Sequence, residues 1–155
     1  MNRELIKSKI INLLKERLDN LKGSLEKKIE IIKQSPTAME SHSDTSRFQF
    51  GQLADNLQTS IEKIEKVIRE IEKDKTTTEC IKQGSIVQID RDGASLYYYV
   101  SSMGLGESFL IDGMEFRVIS IDTPIAKSLL GKKVNEDVEI KIPSSNYFVK
   151  IIEIN

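Results

Sequence analysis

The sequence predicts an α+β protein: an N-terminal antiparallel α-helical coiled-coil hairpin followed by a small antiparallel sheet domain with one short helix. Three observations predict it. Apolar residues in the first half recur in steps of three and four, the spacing of a helix-pair seam. Beyond residue 79 the composition shifts to Gly, Asp-Gly pairs, Val, Ile and Tyr, the vocabulary of strands and tight turns. Between two of those strands, Asp122-Thr-Pro-Ile-Ala-Lys-Ser-Leu-Leu-Gly131 reads as a short helix with a cap, a proline start and a glycine stop.

The first helix is predicted from about Asn2 to Lys33. Ile11, Leu14, Leu18, Leu21 and Leu25 form its seam, and Ile29 and Ile32 extend it after a one-residue slip. Gly23 weakens the helix by about 1 kcal/mol relative to Ala. From Ile6 to Ile32 the helical rise gives roughly 40 Å. Ser35-Pro36 then stops it, because proline lacks a donor and restricts the residue before it. A second helix runs from about Arg47 to Lys73 on Phe50, Leu53, Leu57, Ile61, Ile64, Ile68 and Ile71. Two matched seams and a short link make an antiparallel pair.

The resulting division is a helical hairpin over residues 1–75 with its tip near 35–46, a linker at 76–80, and a sheet domain at 81–155. Strands are expected at Gly84–Ile89, Ser95–Ser101, Glu115–Ile121, Val138–Lys141 and Tyr147–Ile154. Asp92-Gly93, Asp112-Gly113 and Pro143-Ser-Ser-Asn146 are the turns. Tyr97, Tyr98 and Tyr99 alternate across a strand, so one or two belong to the core and the rest to the surface. The helix is expected over Pro124–Leu130, with Asp122 or Thr123 as N-cap and Gly131 in the left-handed C′ position.

Bulk properties exclude several classes. Cys80 is the only cysteine and His42 the only histidine, so a disulfide, a cysteine zinc site and a multi-histidine metal site are not available. The apolar runs are too short for a signal-peptide core or a membrane span, which leads to the expectation of a cytoplasmic protein. The formal net charge is −1, so no basic face argues for direct nucleic-acid binding. A chain of this balance that acts on nucleic acid does so through a protein that holds it. One local imbalance stands out. Residues 34–46 contain Glu40 and Asp44 and no Lys or Arg, so a Lys-studded helical pair ends in a small negative cap.

The segment Ile119-Ser-Ile-Asp-Thr-Pro-Ile-Ala-Lys-Ser-Leu-Leu-Gly-Lys-Lys-Val134 resembles the C-terminal signature of the bacterial GreA/GreB transcript cleavage factors. Gly84-Ser-Ile-Val87, Tyr97-Tyr-Tyr-Val100, Val138-Glu-Ile-Lys-Ile-Pro143 and Tyr147–Ile154 look like other strands of that domain. The resemblance implies an FKBP-like α+β fold for residues 81–155 that docks on RNA polymerase at the rim of its secondary channel. Thr123, Pro124, Ile125, Lys127 and Lys132 would form the docking surface. It further implies that the hairpin enters the channel and that its acidic tip helps the polymerase cut backtracked RNA. Glu40 and Asp44 would be catalytic groups supplied in trans, sharing Mg²⁺ with the polymerase; Arg47 and Phe48 would contact RNA or polymerase. Two carboxylates alone are too few for a six-oxygen magnesium shell, so the chain would carry no intrinsic cofactor. The partners implied are core RNA polymerase and, through it, the RNA 3′ end, with the chain itself a monomer and not an enzyme.

Family tips carry an Asp and a Glu separated by two residues, then Asn, Ala and an aromatic. Here Glu40 and Asp44 are separated by three residues and followed by Thr45-Ser46-Arg47-Phe48. That departure keeps open a channel-binding regulator without cleavage. From other classes stand an FKBP-like isomerase or chaperone and a plain coiled-coil scaffold. Asp44 also reads as a helix cap and Glu40 as a solvated loop acid.

Overall fold

The computed structural model describes residues 3–34, 43–74, 79–143 and 145–155; the side chains of residues 43–47 lie outside that description. The order of elements is α1 (Arg3–Gln34), α2 (Ser43–Lys73), β1 (Ile86–Arg91), β2 (Ala94–Ser101), β3 (Ser108–Ile111), β4 (Met114–Ser120), α3 (Pro124–Leu129), β5 (Asp137–Ile142) and β6 (Ser145–Ile154). Of the tip expected near 35–46, residues 35–42 fall outside the described residues, as do residues 75–78, which include most of the expected 76–80 linker. Two compact units result: residues 11–68, and residues 1–10 together with 69–155.

In the first unit the helices run antiparallel. Lys22 Nζ lies 2.9 Å from Glu65 Oε1, and Lys28 Nζ lies 5.9 Å from the Phe50 ring centre, so an advance along α1 meets a retreat along α2. Leu14 and Leu18 are buried on α1, and Ile61, Ile64, Val67 and Ile68 on α2. Toward the link the seam thins to half-buried Leu21, Leu25, Lys28 and Ile32 facing Phe50, Ala54 and Leu57. The slip expected at Ile29 does not occur. Steps of four and three continue unbroken through 14, 18, 21, 25, 28 and 32, which places Lys28 on the seam and leaves Ile29 39 % exposed. The Lys28 ammonium is accommodated over the face of Phe50, a cation–π contact that keeps the charge near water while its stem packs. Leu53 is likewise displaced from its expected seam position, being 45 % exposed, and Ala54 takes the place.

The second unit is built on a six-stranded sheet in the order β3-β4-β2-β1-β6-β5. β3 is an addition to the expected strands; its four residues are too short to show a period. It also changes the sheet from antiparallel to mixed. The chain leaves β2, passes to the edge as β3, turns at Asp112-Gly113 and returns as β4. β4 inserts between β3 and β2 and therefore runs parallel to β2, with Tyr98 opposite Arg117 and Val100 opposite Ile119.

Both faces of this sheet are covered. On one, Ala126 and Leu129 of α3 pack on Val87, Ile89, Tyr98, Val100, Ile119, Val138, Ile140, Val149 and Ile151. The opposite parity buries Ile86, Tyr99, Phe116 and Val118. Residues 3–10 and 69–74 are anchored to that second side. Arg3 Nη2 donates to Asp74 Oδ2 at 2.6 Å and to the Gly84 carbonyl at 3.3 Å, and Lys7 donates to the Asp74 carbonyl. Glu70 accepts from Ser101 Oγ at 2.5 Å, from the Ser102 N–H at 3.0 Å and from Ser102 Oγ, while Lys9 pairs with Asp112. Covering both faces is why all three consecutive tyrosines are buried, at 9, 3 and 1 % exposure, and none is left at the surface.

Candidate functional site

The helix α3 is set by local chemistry. Thr123, rather than Asp122, is the N-cap: its backbone is extended, its Oγ1 accepts from the Ala126 N–H at 3.3 Å, and it donates to the Ser120 carbonyl at 2.7 Å. Pro124 follows at the first helical position, where a missing N–H leaves no bond unmade. The helix ends at Leu129, one residue before the expected stop, and the Leu130 N–H closes on the Ala126 carbonyl at 2.8 Å. Gly131 has φ +77, the left-handed geometry its position demands. Its N–H reaches the Ile81 carbonyl at 2.8 Å and the Ile81 N–H returns to the Lys132 carbonyl at 2.9 Å, which ties the end of the helix to the start of the domain.

These bonds gather the five expected docking residues on one stretch. Pro124 and Lys127 are exposed, Thr123 and Ile125 half-buried, and Ile125 packs against the core. Lys132 Nζ lies 3.3 Å from Glu136 Oε2. The Lys133 N–H bonded to Glu136, together with Lys132, holds the Glu136 carboxyl below the usual range. Thr123 also borders a cleft of about 600 Å³ with Gly104, Ser108, Arg117 and Ser120. At Gly104 a Cβ would lie 3.3 Å from the Ser120 nitrogen, so glycine lets the 102–107 loop lie against β4.

The tip is placed less fully. Glu40 and His42 lie outside the described residues. Asp44 and Arg47 belong to the opening turns of α2, which starts at Ser43, four residues before the expected Arg47, and their side chains lie outside the description. Asp44 is therefore a backbone member of the helix. Phe48 is 66 % exposed and free to meet a partner, whereas Phe50 takes the packing role under Lys28.

Sequence reasoning passed over a group on the α3 side of the sheet. Arg91, Tyr98 and Tyr147 border a second cleft of about 530 Å³, beside the Glu115–Arg117 pair at 2.8 Å. Period-2 alternation puts Leu96 and Tyr98 on one face, but only the sheet order brings Arg91 and Tyr147 to them. Among the described residues no group of three or more His, Cys, Asp or Glu is placed to hold a metal ion, and no helix is long and apolar enough to cross a membrane.

Residues 103–155 match the family described as transcription elongation factor, GreA/GreB, C-terminal. Transcription elongation factor GreA of Mesoplasma florum is 31% identical over 161 residues, covering 96% of this chain and 99% of that one. GreA of Chloroherpeton thalassium is 30% identical over 158 residues, with 92% and 90% covered. GreA of Bacillus subtilis reaches 57% over 37 residues, 24% of each chain. Among solved structures, GreA factor homolog 1 of Thermus thermophilus is 19% identical, with 94% of each chain covered and a TM-score of 0.39.

Proposed function

The chain belongs to the GreA/GreB family of transcription elongation factors, and on that premise we propose that it binds core RNA polymerase and promotes cleavage of backtracked RNA. The observation that carries this reading is the near full-length relationship to GreA of Mesoplasma florum, which spans the helical pair as well as the sheet domain. In this role the factor is not an enzyme; it modifies the catalytic site of the polymerase. The stretch Thr123–Lys132 docks, with Pro124 and Lys127 presented to the partner and Ile125 anchored from below.

The hairpin delivers Glu40 and Asp44 to the polymerase site. Two carboxylates fit magnesium only as additional oxygens in a shell that polymerase and RNA already begin. When bound there, Mg²⁺ supplies an activated water and charge neutralisation for phosphodiester hydrolysis. Glu40 and Asp44 hold and orient; Arg47 and Phe48 steady the RNA 3′ end or the adjoining polymerase wall.

A second reading rests on the spacing of the two acids, three intervening residues instead of the family's two. It is a factor that occupies the channel without promoting cleavage. A stalled, backtracked elongation complex with Mg²⁺ separates the two. Cleavage stimulated by the wild type and lost in Glu40→Ala/Asp44→Ala supports the first. Tight binding and slowed elongation by both proteins, without cleavage, supports the second. Absence of polymerase binding at micromolar concentration removes both.

A further inference from the structure

β5 ends the sheet, and among the described residues no further strand pairs with its outer edge. Which backbone groups lie on that edge follows from the ladder. The Ile151 N–H donates to the Glu136 carbonyl at 3.0 Å, in the same register that sets Val138 against Val149 and Ile140 against Tyr147. An antiparallel ladder alternates, so the even-numbered residues of β5 aim their N–H and C=O at β6 and the odd-numbered residues aim theirs outward. Asp137, Glu139 and Lys141 therefore present the outer edge. Asp137 and Lys141 are exposed and Glu139 is half-buried, while Val138 and Ile140 face the core under α3.

Edges of this kind are ordinarily guarded by charges that repel another strand. The charges of β5 do the opposite toward a copy of themselves. A second β5 laid antiparallel along this edge, about a two-fold axis normal to the sheet, keeps core face with core face. Hydrogen bonding then requires odd residues to face odd residues. If Glu139 faces Glu139, like carboxylates oppose. If Lys141 faces Lys141, like ammonium groups oppose, and Pro143, which has no N–H, falls opposite Glu139. In the register between, Ile140 lies on the axis. Glu139 then faces Lys141 of the second copy on both sides of it, and Val138 faces Ile142. Glu139 and Lys141 exchange both backbone bonds with their opposites in that register, and their side chains pair. Within one copy Lys141 Nζ already lies 3.2 Å from Glu139 Oε2, so the two groups share a sheet face and would close into an alternating charge ladder.

We infer that this protein self-associates as a two-fold dimer through β5, the occupant of the edge being β5 of a second copy in the register centred on Ile140. The inference goes beyond the polymerase-binding reading and does not rest on it. Val138 and Ile140 are buried within a single copy, at 4 and 0 % exposure, so pairing removes little further apolar surface from water. The dimer is consequently weak, and its population rises with concentration. Backbone bonds supply the attachment and the charge pairs set the register.

The test is sedimentation of the full chain from micromolar to millimolar concentration, comparing wild type, Glu139→Lys, Lys141→Glu and an equal mixture of the two variants. Both positions lie on the outer edge, and a thermal transition followed by circular dichroism establishes that each variant is folded. Wild type should pass from one-chain to two-chain mass as concentration rises. Each variant alone sets like charges against each other on both sides of the axis, and should associate at least about tenfold more weakly. The mixture should regain the two-chain mass as a heterodimer, because lysines of one variant then face glutamates of the other. A wild type of one-chain mass throughout would overturn the inference. So would a dimer that persists in the single variants, since it would use another surface such as the helical pair. A mixture that associates no better than its components would overturn the register and with it the inference.

Discussion

Gly84 shows how a single position can be fixed by a distant one. Its φ of +90 is left-handed, and a Cβ there would lie 2.5 Å from Asp74 Oδ2, the carboxylate that Arg3 holds. Gly84→Ala should destabilise the protein by about 1–3 kcal/mol, measured as a lower urea midpoint at unchanged slope. The tyrosines give a pH prediction. Burial raises the pKa of Tyr97, Tyr98 and Tyr99, and Glu70 and Asp74 push Tyr99 further. The folded state thus keeps protons that the unfolded state releases near pH 10, so stability is full below that pH and falls as pH rises beyond it. Urea midpoints collected from pH 7 to 11 should be flat and then decline above about pH 10, with tyrosinate absorbance rising together with unfolding. Thr123, Pro124 and Gly131 were legible in the sequence because caps act within a turn of chain. The need for glycine at 84 was not, since its cause, Asp74, stands ten residues away, just past the end of α2.

Helix existence and antiparallel pairing were legible at the level of elements, because a three-and-four pattern survives local errors. The phase near the link was misread because Ile29 outranks Lys28 in hydrophobicity, while geometry favours the residue that keeps the heptad. That difference can be measured. Leu14→Ala, at a fully buried position, should cost about 2–5 kcal/mol. Ile29→Lys should change stability by less than about 0.5 kcal/mol. Equal costs in thermal unfolding would restore the slip. In the sheet, five strands could be read from alternation and turn pairs. β3 could not, and with it went the parallel β2–β4 pairing. The second cleft shared this fate: Arg91 and Tyr147 are far apart in sequence, and only β1–β6 adjacency brings them together.

At the scale of the molecule, the unit that holds the sheet is assembled from both ends of the sequence, residues 1–10 and 69–155. Deleting residues 1–10 should uncover Ile86, Tyr99, Phe116 and Val118. The expected outcome is a chain that binds a hydrophobic dye and loses its sharp thermal transition; a truncated protein with unchanged dye binding and melting would contradict this account. The same arrangement bears on biosynthesis. β1 has β6 as a neighbour, and the Ile86 N–H and carbonyl are both satisfied by Asn155, at 2.7 and 2.8 Å. On a ribosome adding roughly 5–20 residues per second, Ile6 and Ile10 emerge on the order of ten seconds before that strand exists. During that interval the segment that carries Ile6 and Ile10 must wait with its apolar side uncovered, and β6, made later, is the strand that allows it to settle.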